Sequence, residues 1–249
     1  MDKLAVSGLF VALIAIVGGY AFEGGTISTL FHLSAFVIVI GGSFGAVMLQ
    51  TPKQDFVNGM RMLPQVWRDD RYQMTLYLHK IQYWAETARQ RGFLALEQEV
   101  EREPEPFVRK ALMMLIDGAE HETLRDSLQM QVELESEHKL RGANIFEALG
   151  GYSPTIGILG AVLGLIQAMT HINDPTALGQ GIATAFVATI YGVGAANIIF
   201  IPVGEKLKAQ IDQEVLFREM LINGIVAAAN GENPQMIVRR LSAYQNPVL

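Results

Sequence analysis

The chain has 249 residues, half of them hydrophobic, with a mean hydropathy of +0.26 and a formal net charge of −6. That is more apolar than an ordinary soluble domain, and it offers no basic stripe to neutralise phosphates, so nucleic acid is not an expected partner. Cysteine is absent, and His32, His79, His121, His138 and His171 show no ligand spacing, so neither a disulfide framework nor a metal or other cofactor is expected.

The apolar residues are clustered. Four stretches, Leu4–Phe22, Leu30–Gln50, Leu149–Thr170 and Ile182–Val203, contain no Asp, Glu, Lys or Arg. Each is long enough, at ~1.5 Å per residue, to cross about 30 Å of hydrocarbon as a helix. The first could pass for a signal peptide, but Asp2 offsets Lys3 and no Ala-x-Ala-like site follows, so it reads as a retained span. Gly24–Gly25 closes spans one and two into a hairpin, and Thr51–Pro52 ends the second.

The middle segment is polar. The spacing predicts a helix over Tyr72–Arg91 with Leu76, Ile81, Trp84 and Ala88 on its apolar side, broken at Gly92. A short helix follows through Leu94, Leu96 and the acidic run Glu97, Glu99, Glu101, Glu103, Glu105, then a turn at Glu103–Pro104–Glu105–Pro106 and a helix over Phe107–Ile116. From Glu122 a long helix runs towards span three with Leu124, Leu128, Val132, Ile145, Phe146 and Leu149 on one side. Span four continues into Glu205–Asn230, where Leu207, Ile211, Val215, Ile222, Ile225 and Ala229 recur at helical spacing.

Of the 19 Lys and Arg residues, 18 lie in Thr51–Glu147 and Glu205–Leu249, and none in the connections Glu23–Thr29 and His171–Gly181. Basic segments stay in the cytoplasm. The expectation is an all-α, multi-pass inner-membrane protein, surrounded by membrane lipid, with both termini and a helical domain inside. Its divisions are a hairpin over 1–50, a cytoplasmic domain over 51–148, spans three and four over 149–204, and a C-terminal helix and tail over 205–249.

No constellation supports catalysis: there is no phosphate loop, zinc-protease motif or nucleophile elbow. Gly157, Gly160 and Gly164 in span three, and Ala185, Ala188, Gly192 and Ala196 in span four, form small-residue strips that allow close helix approach and point to homo-oligomerisation. Pro154 and Pro202, near the inner ends of these spans, free backbone carbonyls and permit bends. An ion path needs an ionisable or well-coordinated group at membrane depth, yet the spans hold no carboxylate. If ions pass, another polypeptide brings it.

Several ordered stretches resemble the MotA/PomA family of flagellar stator subunits: Ala88–Glu97 (ARQRGFLALE), Leu115–Gly118 (LIDG), Pro154–Ala161 (PTIGILGA), Ala188–Gly192 (ATIYG) and Gly231–Pro234 (GENP). The resemblance implies a homo-oligomeric ring, a pentamer, around a MotB/PomB-like single-span subunit that binds peptidoglycan and supplies the ion-binding Asp. It also implies that ion flow turns the ring and that the cytoplasmic domain pushes on the rotor protein FliG. By matched position, Arg89 and Glu97 are the rotor contacts, and Pro154, Ala161, Ala188, Thr189 and Pro202 belong to the ion pathway. Gln90 and Gln98 depart from some sodium-type relatives, which carry charge there. Sodium-type relatives also place Thr at the positions of Ala161 and Ala188, so the resemblance implies proton rather than sodium coupling. The alternative within the superfamily is a TolQ/ExbB-type energiser of outer-membrane processes, against which the first hairpin argues.

Overall fold

The computed structural model describes residues 2–68 and 72–245, and every regular element among them is helical. In chain order these are α1 (Lys3–Phe22), α2 (Leu33–Phe36), α3 (Gly42–Gln50), α4 (Lys53–Met62), α5 (Met74–Arg91), α6 (Glu97–Arg102), α7 (Pro106–Ile116), α8 (His121–Met169), α9 (Pro175–Gly194), α10 (Ile201–Ala229) and α11 (Pro234–Leu241). Two π-helical turns interrupt the spans: Val37–Gly41 joins α2 to α3, and Ala195–Phe200 joins α9 to α10. Four helices are long and apolar enough to cross a membrane: Lys3–Phe22, Ile27–Gln50, His121–Met169 and Pro175–Ala229. The expected continuity of the long helix from residue 122 into span three, and of span four into the C-terminal segment, is what the structure has.

By its contacts the chain divides into two compact units, Met1–Asp69 with His138–Ala209, and Asp70–Glu137 with Gln210–Leu249. In the first unit, Asp2 caps α1 by accepting from the N–H groups of Leu4 (2.9 Å) and Ala5 (3.3 Å). The Asp2 carboxylate also pairs with Lys206, and its own N–H donates to the Trp67 carbonyl at 3.0 Å. None of the 20 residues of α1 is buried, so this charged clasp at one end is its main attachment within the chain. The hydrogen bond from Lys206 and the Ala5 N–H hold the Asp2 carboxyl below the usual carboxylate range. The clasp therefore contributes at neutral pH and is lost as pH falls through the carboxylate's lowered titration.

Gly24, at φ 83°, makes the turn that leads into span two, a conformation that favours glycine. In span two, Ala35 and Val39 pack on Val187 and Ala188 of α9. Lower down, the buried hydroxyls of Ser43 and Ser153 meet at 3.1 Å. Beyond Pro52, α4 crosses α8 so tightly that a Cβ on Gly59 would lie 2.6 Å from the Gly142 carbonyl oxygen.

The second unit is built around one apolar core. Ile81, Trp84, Leu96, Leu112, Leu124, Leu128, Met220, Leu221, Ile222 and Ile225 are all fully buried. One sequence expectation is corrected here. Leu76 is exposed, and α5 buries Tyr77, Leu78, Ile81, Trp84 and Ala85 instead. Leu76 lies five residues from Ile81, well off the face that positions 77, 81, 84 and 85 share.

Arg218 of α10 ties the core's edge together. It bonds Glu135 of α8 at 2.5 Å and Glu214 at 2.6 Å, and its guanidinium stacks 5.0 Å from the Phe107 ring centroid. Burial pulls this guanidinium down, but Glu135 and Glu214 outweigh it and hold Arg218 above its ordinary range. Arg218→Met would leave two carboxylates without their shared cation, one of them largely buried. The expected loss is about 2–4 kcal/mol, read as a lowered melting temperature of the helical signal. An unchanged melting temperature would show that the network is only decorative.

Candidate functional site

The third and fourth spans, residues 149–169 of α8 together with α9, meet along their glycines. A Cβ on Gly157 would sit 3.0 Å from the Ala188 carbonyl oxygen and 3.1 Å from Gly192 Cα. One on Gly164 would meet the Ala185 backbone at 3.0 Å, and one on Gly192 would meet the Ser153 carbonyl oxygen at 2.5 Å. The two small-residue strips are therefore used up against each other inside one chain. That corrects the inference that they point to further copies: the hairpin alone accounts for them.

This contact fixes where the candidate ion-path residues lie. A Cβ on Gly160 would meet Ala188 Cβ at 3.0 Å and Ile38 Cγ2 of span two at 3.4 Å, so span two covers that flank of α8. Ala161 is one step of about 100° further round, and seven residues from Pro154 it shares that residue's face. On α9 the flank towards span two carries Val187, Thr184 and Tyr191. The Tyr191 hydroxyl donates to the Leu30 carbonyl at 2.5 Å, and Thr184 Oγ1 lies 3.3 Å from His32 Nδ1. Thr189 is on the other flank. Pro154, Ala161 and Thr189 are thus half-buried on the side of the hairpin turned away from span two.

Ala188 itself is buried beneath Gly157 and Gly160. The Thr189 hydroxyl reaches its own helix's Ala185 carbonyl only at 3.5 Å, a weak bond that leaves its oxygen lone pairs free. Pro154 lies inside α8 and removes the N–H that would have bonded the Gly150 carbonyl. Pro202 lies two residues beyond the π-turn. It faces a cavity lined by α1 residues and is not brought to the Ala161–Thr189 flank. The carboxylates and ammonium groups of this unit lie outside the apolar stretches. Glu147 pairs with Lys208, whose hydrogen bond holds its carboxyl below the usual range.

Arg89 and Glu97 lie in the second unit, either side of a sharp reversal. Gly92 at φ 81° ends α5, a 3₁₀ turn over Phe93–Leu96 follows, and Glu97 opens α6. Arg89 and Arg91 sit in the last turn of α5, and Glu97 and Glu99 in the first turn of α6, the charge placement that helix dipoles favour. Both Arg89 and Glu97 are exposed, and neither forms an ion pair with another described residue. Leu94 stands exposed between them.

Sequence reasoning missed the group that holds this corner. Glu103 is buried, with 2% of its side chain exposed. It accepts from the Tyr77 hydroxyl and from Lys80 Nζ, both at 2.7 Å, and from the Glu105 N–H at 3.1 Å. Arg109 in turn donates to the Glu103 carbonyl at 2.9 Å. Burial, with Glu103 alongside, raises the Tyr77 phenol well above its ordinary range. A single residue thus joins α5 and the Pro104–Pro106 turn through its carboxylate, and α7 through its backbone carbonyl. The available signal was the pair of prolines that follow it, Pro104 and Pro106, which mark a turn that has to be rigid.

Residues 6–92 match the family described as motility protein A N-terminal, and residues 99–220 match the MotA/TolQ/ExbB proton channel family. Motility protein A of Bacillus subtilis is 33% identical over 246 residues, covering 98% of this chain and 91% of that protein. The solved structure of C. jejuni MotAB superposes with a TM-score of 0.94 at 32% identity, covering 98% and 96% of the two chains. The flagellar MotAB stator complex of B. subtilis gives 0.89 at 32% identity, covering 99% and 97%. The chain therefore belongs to the MotA/TolQ/ExbB proton channel family. The N-terminal match places it on the motility branch, and it is a flagellar stator A-subunit.

Proposed function

We propose that this chain forms a homo-oligomeric ring, a pentamer, around the single-span helices of a MotB/PomB-like partner in the bacterial inner membrane, with both termini cytoplasmic. Segments 1–50 and 149–204 make the membrane part. Segments 51–148 and 205–249 make the part that pushes on the rotor protein FliG through Arg89 and Glu97. The observation that carries this reading is the missing carboxylate: the four apolar stretches of a channel-family chain contain no Asp, Glu, Lys or Arg. A peptidoglycan-bound partner would supply it, facing the flank of Pro154, Ala161 and Thr189. Ala188 would set the backbone spacing of that flank, and Pro202 would let span four bend. Purified alone in liposomes, the chain is expected to conduct no better than empty vesicles. Flux equal to that of the reconstituted pair would overturn the reading.

The same geometry favours protons over sodium. A sodium ion leaving water needs oxygen ligands, and each uncompensated polar desolvation costs a few kcal/mol. Ala161 presents a methyl group to the flank, and Ala188 is packed between glycines, which leaves the Thr189 hydroxyl as the nearby side-chain oxygen. Swimming speed is expected to be independent of external sodium at fixed pH and to collapse with a proton uncoupler. Speed that follows sodium and ignores the uncoupler would reverse the assignment.

A further inference from the structure

The corner that carries Arg89 and Glu97 is the closed end of a hairpin whose two arms are held very differently. α5 brings Arg89 to the corner as an 18-residue helix, with Tyr77, Leu78, Ile81, Trp84 and Ala85 buried along it. α6, which opens on Glu97, has six residues and buries only Val100. Leu96, in the turn before it, is the other apolar anchor. A helix that short does not hold itself, and its orientation comes from what it packs against. Apolar burial is non-directional, so Leu96 and Val100 keep α6 on the core without selecting one rotation about its axis.

The directional contact is at the other end of α6. Glu103, which follows its last residue, turns back to α5. One carboxylate oxygen of Glu103 accepts from the Tyr77 hydroxyl at 2.7 Å and the Glu105 N–H at 3.1 Å, and the other accepts from Lys80 Nζ at 2.7 Å. Lys80 Nζ also lies 4.6 Å from the Tyr77 ring centroid, so ring, ammonium and carboxylate are fixed together. A carboxylate this far from water tolerates little displacement from its donors. Arg109 holds the same residue from α7, its Nε 3.2 Å and its Nη2 2.9 Å from the Glu103 carbonyl oxygen. By residue count the fixed point lies roughly 18 Å from Arg89 along α5 and roughly 9 Å from Glu97 along α6. A change in how α6 is seated at Glu103 therefore moves Glu97 relative to Arg89.

We propose that Glu103 is a positioning residue for torque: its bonds to Tyr77 and Lys80 set the placement of Glu97 relative to Arg89, and so the fit of both charges to the rotor. The buried acid touches no rotor surface itself. It selects one seating of α6 on α5, the use of a buried polar group as a specificity device rather than as a source of stability. The inference rests on the reading of Arg89 and Glu97 as rotor contacts, and it adds to that reading a side chain buried behind them.

The test reads torque per stator unit in living cells. When the full chain is induced in a strain lacking its own A-subunit, a loaded motor regains speed in equal steps as single units join. The number of steps reports assembly, and their height reports torque. Glu103→Gln keeps an oxygen for Tyr77 and Glu105 but sets an amide NH2 against the Lys80 ammonium. Its motors are expected to show as many steps as the native chain, each about half as high, since doubling the separation of a charge pair halves its Coulomb energy. Lys80→Met should lower the step likewise and Lys80→Arg should keep it, and this pair carries the test should Glu103→Gln fail to assemble. Tyr77→Phe/Lys80→Met/Glu103→Leu exchanges the cluster for apolar groups of similar size, which is often neutral or stabilising. That variant is expected to melt close to the native chain and still to show the lowered step. Fewer steps of full height in Glu103→Gln, or a full step in the apolar variant, would overturn the proposal and leave Glu103 a role in folding alone. A step height that simply tracks the melting temperature across the set would do the same. Arg89→Glu, run alongside, separates the two readings. A full step there would sink the rotor contact itself, whereas a lowered step there with a full one in Glu103→Gln would sink only the positioning.

Discussion

Gly192→Leu is expected to abolish swimming and to deplete the chain from the membrane. The glycine's missing side chain points at backbone: a Cβ would fall 2.5 Å from the Ser153 carbonyl oxygen, and Gly157 Cα is 3.0 Å away. Neither is the end of a flexible side chain, so α8 and α9 would have to part along their whole seam. Overpacking of this kind costs typically ~1–3 kcal/mol in soluble cores, and here the contacts at Gly157, Gly160 and Gly164 would go with it. Gly194, two residues on, has nothing within 4 Å of its Cβ position. Gly194→Leu is therefore the control for chain stability, measured as membrane-inserted protein by immunoblot. Normal levels of the Gly192 variant would refute the seam.

The second large effect is expected at the corner between α5 and α6. Arg89→Glu or Glu97→Lys should sharply reduce swimming while leaving membrane assembly and the cytoplasmic unit's melting temperature unchanged. Exposed charges outside ion pairs contribute little to folding, about 0–1 kcal/mol, so a motility defect at these sites reports on contact with something outside the chain. A compensating reversal on the rotor is expected to restore movement. If no such reversal ever does, a direct electrostatic contact is untenable. Glu103→Ala makes the contrast: it removes the acceptor for Tyr77, Lys80 and Glu105 from a buried position and should lower stability itself.

Much of this architecture is written in local patterns. Runs without charge mark the four spans, Gly92 marks the end of α5, and the alternation of Glu and Pro marks the turn before α7. All are properties of a few adjacent residues, so a single chain suffices to see them. What could not be read depends on partners far apart in sequence. Glu103 looked like one more solvated acid in an acidic run. It is buried because Tyr77 and Lys80, 26 and 23 residues earlier, close over it. The small-residue strips were visible, but nothing local says whether such a strip meets its neighbour in the same chain or in another copy. Arg89 and Glu97 became candidates only through resemblance, because an exposed charge pair on a charged surface has no distinguishing pattern of its own.

The π-turn at Ala195–Phe200 bears on how span four can be altered. A π-turn stores one residue more than an α-helix needs, and Pro202, having no N–H, could not have made the α-type bond back to Ile198 in any case. The surplus residue therefore sits where the helix had a bond to lose. It acts as a phase step: Lys206 and Leu207 are rotated by about 100° relative to the wheel that Ala188 and Gly192 define. Deleting one residue there would give a more regular helix and a misphased one. The clasp from Lys206 to Asp2 and the buried Leu207 would turn away from their partners, so in this span hydrogen-bond regularity and correct phase are competing demands.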